Sequence, residues 1–276
     1  MARTTTTHAA ATGDSGPAQA KGREDKPRDL RASVALLWGE QEQPTRGPKP
    51  RLTPARIAEA AVALADAEGL ESVSMSKVGA GFGVSAMALY RYVPGKAELV
   101  ELMVESVSSE RPDPAAAGPG WREAITAWAR QMLAVYQAHP WLLSAVAMRR
   151  QVMGPNQLGW LDAALATLEP TGLTAAQRHR VFLLIASQVR SLAQQSAESD
   201  PEHAREWSRL TGELLDRHAD RFPALTRAIA DGGFEAPAAD PLTASLELVL
   251  DGVQALIDRG QDTSSGLGPS PIRKRK

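Results

Sequence analysis

The residue types from which catalytic and metal sites are built are either missing from this sequence or too scattered to converge. There is no Cys, which removes thiolate metal sites, iron–sulfur clusters, disulfides and cysteine nucleophiles together. The histidines, at 8, 139, 179, 203 and 218, share no metal-ligand spacing. No nucleophile elbow, zinc-protease motif, paired-carboxylate site or cofactor fingerprint accompanies them, so neither an enzyme nor a cofactor is expected. Gly79-Ala80-Gly81-Phe82-Gly83 is glycine-rich, but no strand precedes it and its spacing fits neither a dinucleotide fingerprint nor a P-loop. A different chemistry stands out between Ser72 and Ala97, where no Asp or Glu occurs while Lys77, Tyr90, Arg91, Tyr92 and Lys96 do. A surface that lies against a phosphate backbone needs that local exclusion of carboxylates.

The elements around this stretch are legible from caps and breakers. Thr53-Pro54 supplies an N-cap and a first-turn proline, Ile57, Ala61, Leu64 and Ala65 follow at helical spacing, and Glu68-Gly69 ends the helix. A second, short helix is expected from about Ser76 to Phe82 with Ser74 as its cap. Gly79 and Gly81 make it weak, each by up to about 1 kcal/mol relative to Ala, so packing must hold it. Gly83 suits a turn with positive φ. Ser85 then caps a third helix reaching about Tyr92, Pro94-Gly95 break the chain, and Lys96 to about Ser108 form a fourth helix with Leu99, Leu102, Met103 and Val107 on its apolar side. A short helix, a glycine turn and a helix that begins with small residues make a helix-turn-helix, whose second helix can lie in a DNA major groove.

This stretch resembles the TetR family of transcriptional regulators. The residues that carry the resemblance are Ala67-Glu68-Gly69-Leu70, Ser74-Met75-Ser76-Lys77-Val78, Phe82-Gly83-Val84-Ser85, Ala88-Leu89-Tyr90-Arg91-Tyr92-Val93 and Lys96-Ala97-Glu98-Leu99. The resemblance implies that Tyr90 and Lys96 hold phosphates, that Ser85, Ala86, Met87, Arg91 and Tyr92 sit at or near the groove, and that Ser74 and Ser76 start the second helix against a phosphate. The chemistry agrees: Tyr90 offers a hydroxyl on a rigid ring, Lys96 a point charge, and Arg91 a fork that fits a phosphate or a guanine. Ser85 and Ala86 are too small for bidentate base contacts, so specificity is expected to lean on Arg91, thymine methyls and DNA shape. Lys77 and the basic arm Arg46-Gly47-Pro48-Lys49-Pro50-Arg51 complete the candidate DNA-binding set through Lys49 and Arg51. The arm reads equally as a minor-groove or phosphate contact and as a solvated linker.

The remainder of the chain fits a second, larger helical domain. Arg111 to Gly120 is a Pro/Gly-rich hinge, beyond which helical patterns cover 121–138, 141–152, 155–168, 174–197, 201–219, 223–231 and 241–258. The expectation is an all-α protein with this organisation: a mostly disordered extension over 1–45, a helix-turn-helix DNA-binding domain over 46–109, a helical ligand-binding and dimerisation domain over 121–258, and a disordered basic tail over 259–276. One stripe contains Val181, Phe182, Ile185, Val189 and Leu192, another Leu242, Leu246, Val249, Val253 and Leu256; they point to homodimer pairing through about 174–197 and 241–258. Weaker family resemblance continues here, at Trp121-Arg122, His139-Pro140-Trp141 and Gly154-Pro155-Asn156, to the tetracycline-repressor-like ligand domain. It carries no ligand-contacting residue across by position.

Candidate ligand residues come from side-chain chemistry instead. Trp128, Met132, Tyr136, Met148, Met153, Trp160 and Phe182 make an aromatic and sulfur-rich wall, with Asn156, Gln188 and Gln194 as polar handles. Each also reads as ordinary core. His139 fits a capped helix end or a ligand contact. Charge is balanced at 31 Lys+Arg against 32 Asp+Glu, yet residues 1–52 carry a net +3, the last eighteen a net +4 and the body between a net −8. Basic ends on an acidic body suit contact with a polyanion through limited segments. No apolar run nears the roughly 18 residues of a membrane span, and the start lacks the apolar stretch of a secretory signal, so a cytoplasmic protein is expected. The reading is therefore a repressor released from a palindromic operator by a small apolar or aromatic molecule. The alternative is a DNA-binding regulator or architectural protein without small-molecule input.

Overall fold

The structure, a computed structural model, describes residues 29–40, 52–147, 152–197, 201–234 and 240–265. Lys49, Arg51 and Met148 of the candidate sites lie outside the described residues. Among the described residues every regular element is a helix or a short 3-10 turn.

Helix α1 (Leu30–Leu37) starts where the Asp29 carboxylate accepts from the Arg31 and Ala32 amides at 3.0 and 3.3 Å. It buries Leu36 and Leu37 and packs on α5. In α2 (Pro54–Glu68) the Thr53 hydroxyl caps the Arg56 amide at 3.2 Å, proline occupies the first turn, and Gly69 closes the helix at φ +83°. Its buried face of Ile57, Ala58, Ala61 and Ala65 is mostly small, so α5 packs closely against it. A 3-10 turn over Leu70–Ser72 leads to α3 (Met75–Gly81), capped by Ser74, and then to α4 (Ala86–Leu89).

The N-terminal helical unit is closed by α5 (Lys96–Val107), buried nearly all the way round. Leu99, Val100, Leu102, Met103 and Val104 are buried, and so are Glu101 and Glu105. A helix with that profile must have partners on several sides. It has α1 and α2 on one side, α7 and α8 on the other.

The second domain is built from α6 (Trp121–Ala138), α7 (Trp141–Ala147), α8 (Pro155–Leu168), α9 (Ala175–Ala197), α10 (Pro201–Arg217), α11 (Pro223–Ala230) and α12 (Pro241–Ser265). Helix α9 sits between α6, α8 and α12. Its core stripe is Val181, Ile185, Val189 and Ala193, while Phe182 is half-buried and Leu192 only packs against the core. On α12 the buried set is Leu242, Leu246, Leu250, Val253 and Ile257. Val249 and Leu256 therefore fall beside this stripe rather than on it, because spacings of three and four carry the buried line through Leu250 and Ile257 instead.

Three boundaries differ from those expected. The α-helical part of the third helix is a single turn, after which Tyr92 and Val93 amides both fold back to the Leu89 carbonyl at 2.9 and 3.0 Å. Burial of Val93 just before Pro94 tightens this end. Helix α12 continues to Ser265, beyond residue 258, and Val152 is not helical.

Candidate functional site

The exposed surface of the helix-turn-helix is assembled by the turn between α3 and α4. Gly83 adopts φ +68°, the left-handed region that favours glycine. Gly79 is buried, and a Cβ there would stand 2.9 Å from the Val84 carbonyl oxygen. The Val84 amide bonds the Gly79 carbonyl at 3.0 Å, so the chain folds directly over this glycine and fixes how α4 leaves α3. Leu89, Val73, Val78 and Val93 are buried beneath.

Outward from that base, Ser76, Lys77, Ser85, Met87, Tyr90, Arg91 and Lys96 are exposed. Met87 at 72% and Tyr90 at 43% are large apolar side chains offered to solvent on a compact domain. Ala86 and Tyr92 are half-buried and pack against the core, and half-buried Ser74 accepts from the Lys77 amide at 3.2 Å as the α3 cap. Ser85 holds the N-cap position of α4 in an extended conformation but makes no capping bond with its hydroxyl. The expectation that Ser85 caps α4 is thus met in backbone position only. The carboxylate-free stretch also has an acidic neighbour in space, because Lys77 Nζ pairs with Glu68 at 2.8 Å. Both side chains are 52% exposed, and such a pair is worth little in water, so a phosphate can replace the carboxylate as partner.

In the second domain a cavity of about 130 Å³ lies between α5, α6, α7, α8 and α9. Of the candidate ligand residues it brings together Trp128, Met132, Tyr136, Met153, Trp160 and Phe182. Trp128 is the hub: its ring meets Trp160 and Phe182 edge-on at 6.1 and 5.8 Å, and its Nε1 donates to the Trp160 carbonyl at 3.0 Å. Burial pushes the Tyr136 phenol above its ordinary range, with Arg190 partly opposing, which keeps the hydroxyl neutral at physiological pH.

The structure places the other candidates elsewhere. Asn156 gives its side-chain amide to the Glu105 carbonyl at 3.0 Å. Gln188 is half-buried on α9 and absent from the cavity lining. His139 follows α6, and its Nδ1 shares the Asp66 Oδ1 atom, at 2.8 Å, with the Trp141 indole N–H at 2.7 Å. It is a tie between α2 and the α6–α7 corner. Among the described residues no cluster of His, Asp or Glu is arranged to hold a metal.

Residues missed from the sequence are Val104, Ser108, Val135, Leu142, Val146, Gln157 and Leu161, which complete the cavity wall. Leu142 and Val146 stand one turn apart on α7, a spacing that could have found them. The pair Glu101 and Glu105, also one turn apart, is the other missed signal. They are carboxylates set among Leu99, Val100, Leu102, Met103 and Val104, with no Lys or Arg three or four residues away. Glu101 accepts from the Val152 amide at 3.0 Å and Glu105 from the Asn156 amide at 2.5 Å.

Comparison with known proteins agrees with this geometry. Residues 57–103 match the tetR family of bacterial regulatory proteins, and residues 113–257 match the tetracyclin repressor-like C-terminal domain. The chain is 37% identical over 250 residues to the HTH-type transcriptional repressor DrrR1 of Streptomyces coeruleorubidus, covering 86% of this chain and 90% of that one. It is 33% identical over 201 residues to an HTH-type transcriptional regulator of Saccharopolyspora erythraea, covering 71% and 83%. Among solved structures it is similar to the TetR family protein ActR of Streptomyces coelicolor in complex with actinorhodin, with a TM-score of 0.65 and 26% identity over 74% of this chain and 96% of that one. No described helix is long and apolar enough to cross a membrane. With the family models together matching more than half of the chain and a relative 37% identical over most of it, the chain belongs to the TetR family of DNA-binding transcriptional regulators.

Proposed function

We propose that the protein is a homodimeric repressor, released from a palindromic operator when a small apolar or aromatic compound enters the cavity walled by Trp128, Trp160 and Phe182. Residues 46–109 read DNA and 121–258 sense and pair. The protein acts in the cytoplasm without catalysing a reaction. Tyr90 and Lys96 hold phosphates, Ser74, Ser76 and Lys77 start α3 against the backbone, and Ser85, Ala86, Met87, Arg91 and Tyr92 lie at the groove. Lys49 and Arg51 reach an adjacent groove or phosphate strand.

One observation carries the reading: α5 packs on α2 in the reading head and also supplies Val104 to the cavity wall, with Ser108 just beyond its end. A ligand there touches the helix that sets the angle of the reader. It can release DNA only by its differential affinity for two dimer shapes, one of which misses half-sites about 34 to 36 Å apart. Pairing is supported by Leu184 and Leu248, 58% and 79% exposed, along an apolar groove of about 500 Å³ between α9 and α12. The complex of ActR with actinorhodin supports small-molecule input by analogy.

The test is whether one compound that raises the melting temperature of the full chain also frees it from a bound duplex. The size of the cavity favours a second reading, since about 130 Å³ is below the roughly 300 Å³ where sites for drug-sized ligands begin. A larger effector must displace Met132 or Met153, both flexible. A broad aromatic panel that neither stabilises the protein nor releases DNA would favour a regulator without small-molecule input.

A further inference from the structure

Gln157 belongs to two sites at once. It lines the cavity, and its side-chain Nε2 donates to Glu105 Oε2 at 3.3 Å. Its backbone amide donates to the same oxygen at 3.3 Å, while the Asn156 amide donates to Oε1 at 2.5 Å. The Glu105 carboxylate, 6% exposed as a residue, therefore rests on the N-terminus of α8, where the orphan amides and the helix dipole favour negative charge. Gly154 leaves room for it, because a Cβ there would meet the carboxylate carbon at 2.4 Å. One turn earlier on α5, Glu101 holds the Val152 amide. The segment from Val152 to Gln157 is thus fastened to α5 from one side while Met153 and Gln157 face the cavity from the other.

The polar groups of that wall are few. Ser108 spends its hydroxyl proton on the Val104 carbonyl at 2.8 Å, and the Trp128 and Trp160 indoles give theirs to backbone carbonyls at 3.0 Å, which leaves Tyr136 and the second amide N–H of Gln157 to serve a ligand acceptor. A carbonyl entering an apolar cavity leaves its water behind and must recover a donor. We infer that Gln157 is the positioning residue that senses the effector: one N–H of its amide holds Glu105, and a ligand carbonyl that engages the other draws the amide inward. Turning the amide inward lengthens a contact already at 3.3 Å and so weakens one of the ties that hold α8 to α5, the helix that also packs against α2. The effector class follows: a small aromatic compound carrying a hydrogen-bond acceptor, with the bare hydrocarbon bound but silent. This inference rests on the reading of the cavity as an effector site.

The experiment uses the full chain on a duplex selected for binding, with 1-tetralone and tetralin as probes. They share a fused bicycle and differ by one carbonyl. Binding is followed by calorimetry and DNA affinity by fluorescence anisotropy. At equal occupancy, 1-tetralone should weaken DNA binding by about tenfold and tetralin by less than about twofold, a coupling of the usual allosteric size. In Gln157→Met, a near-isosteric change, both probes should still bind and neither should release DNA. Glu105→Gln, which leaves the cavity wall intact, should reduce the response to 1-tetralone as well, and a residue that only supports the fold would leave that response unchanged. Release by tetralin equal to that by 1-tetralone, an undiminished response in Gln157→Met, or loss of the response in Tyr136→Phe alone would overturn the role of Gln157 while leaving the effector cavity standing. Failure of both probes to bind the native chain would remove the cavity reading and this inference together.

Discussion

The indole Nε1 of Trp160 donates to the backbone carbonyl of Ser108 at 3.0 Å, joining the aromatic wall of the cavity to the residue that ends α5. The Trp160 carbonyl in turn accepts from Trp128, so two tryptophans and the last turn of α5 form one hydrogen-bonded chain. Trp160→Phe keeps a ring but removes the donor and leaves a partly buried carbonyl without it. Urea unfolding should show a loss of about 1–3 kcal/mol, and a stability equal to the native protein would show that the bond is idle.

Contacts to DNA divide into those that position and those that specify. Lys96→Ala should weaken binding to all duplexes alike and reduce the slope of log affinity against log salt by about 1. Tyr90→Phe should also act on all duplexes alike. Arg91→Ala should cost about 1–3 kcal/mol and blur sequence preference at the positions it faces. Anisotropy titrations on matched and mismatched duplexes at several salt concentrations separate these cases, and equal, sequence-independent losses for all three would contradict the reading role of Arg91.

The turn that aims α4 depends on two glycines for different reasons. Gly83→Ala forces a side chain into the left-handed region at φ +68° and should cost about 1–3 kcal/mol, with nothing within 4 Å to clash. Gly79→Ala instead pushes a methyl against the Val84 carbonyl, so it should shift α4 and weaken DNA binding beyond its effect on thermal stability. A parallel loss of both properties would mean that Gly79 is merely structural.

Helix α12 opens with Asp240, whose carboxylate accepts from the Thr243 hydroxyl at 2.8 Å and amide at 3.1 Å. The hydroxyl and then the amide hold its pKa below the ordinary carboxylate range. A carboxyl depressed in the folded state stabilises above its unfolded pKa and loses that contribution as pH falls through the folded value. Asp240→Ala should therefore narrow the gap in stability between neutral and acid solution, measured by denaturant midpoints across that range. An unchanged gap would show that the Asp240 cap does not contribute to this pH dependence.

Much of this architecture was legible because caps and breakers are local. Thr53-Pro54 and Gly69 bound α2 as read, and the glycine turn at Gly83 falls between α3 and α4. The α4 end was less legible, since the burial of Val93 that shortens it is a tertiary effect. In the cavity, aromatic and sulfur chemistry pointed to six wall residues, but composition cannot tell which polar groups turn inward. Asn156 and Gln157 are neighbours at the start of α8, and only the latter faces the cavity. Glu105 was invisible for the same reason: its partner is a helix N-terminus about fifty residues away in sequence, a relation that no periodicity records.

DNA reading by the protein is proposed to rest on a twofold pair of α4 surfaces, exposed at Ser85, Met87, Tyr90 and Arg91. Selection of binding sites from random duplex DNA by the full chain, at fixed salt, tests it most directly. The expected product is an inverted repeat whose half-sites are centred about one helical turn, 34 to 36 Å, or a multiple of it apart. Failure to enrich any sequence, or enrichment of a single unrepeated site, would contradict it.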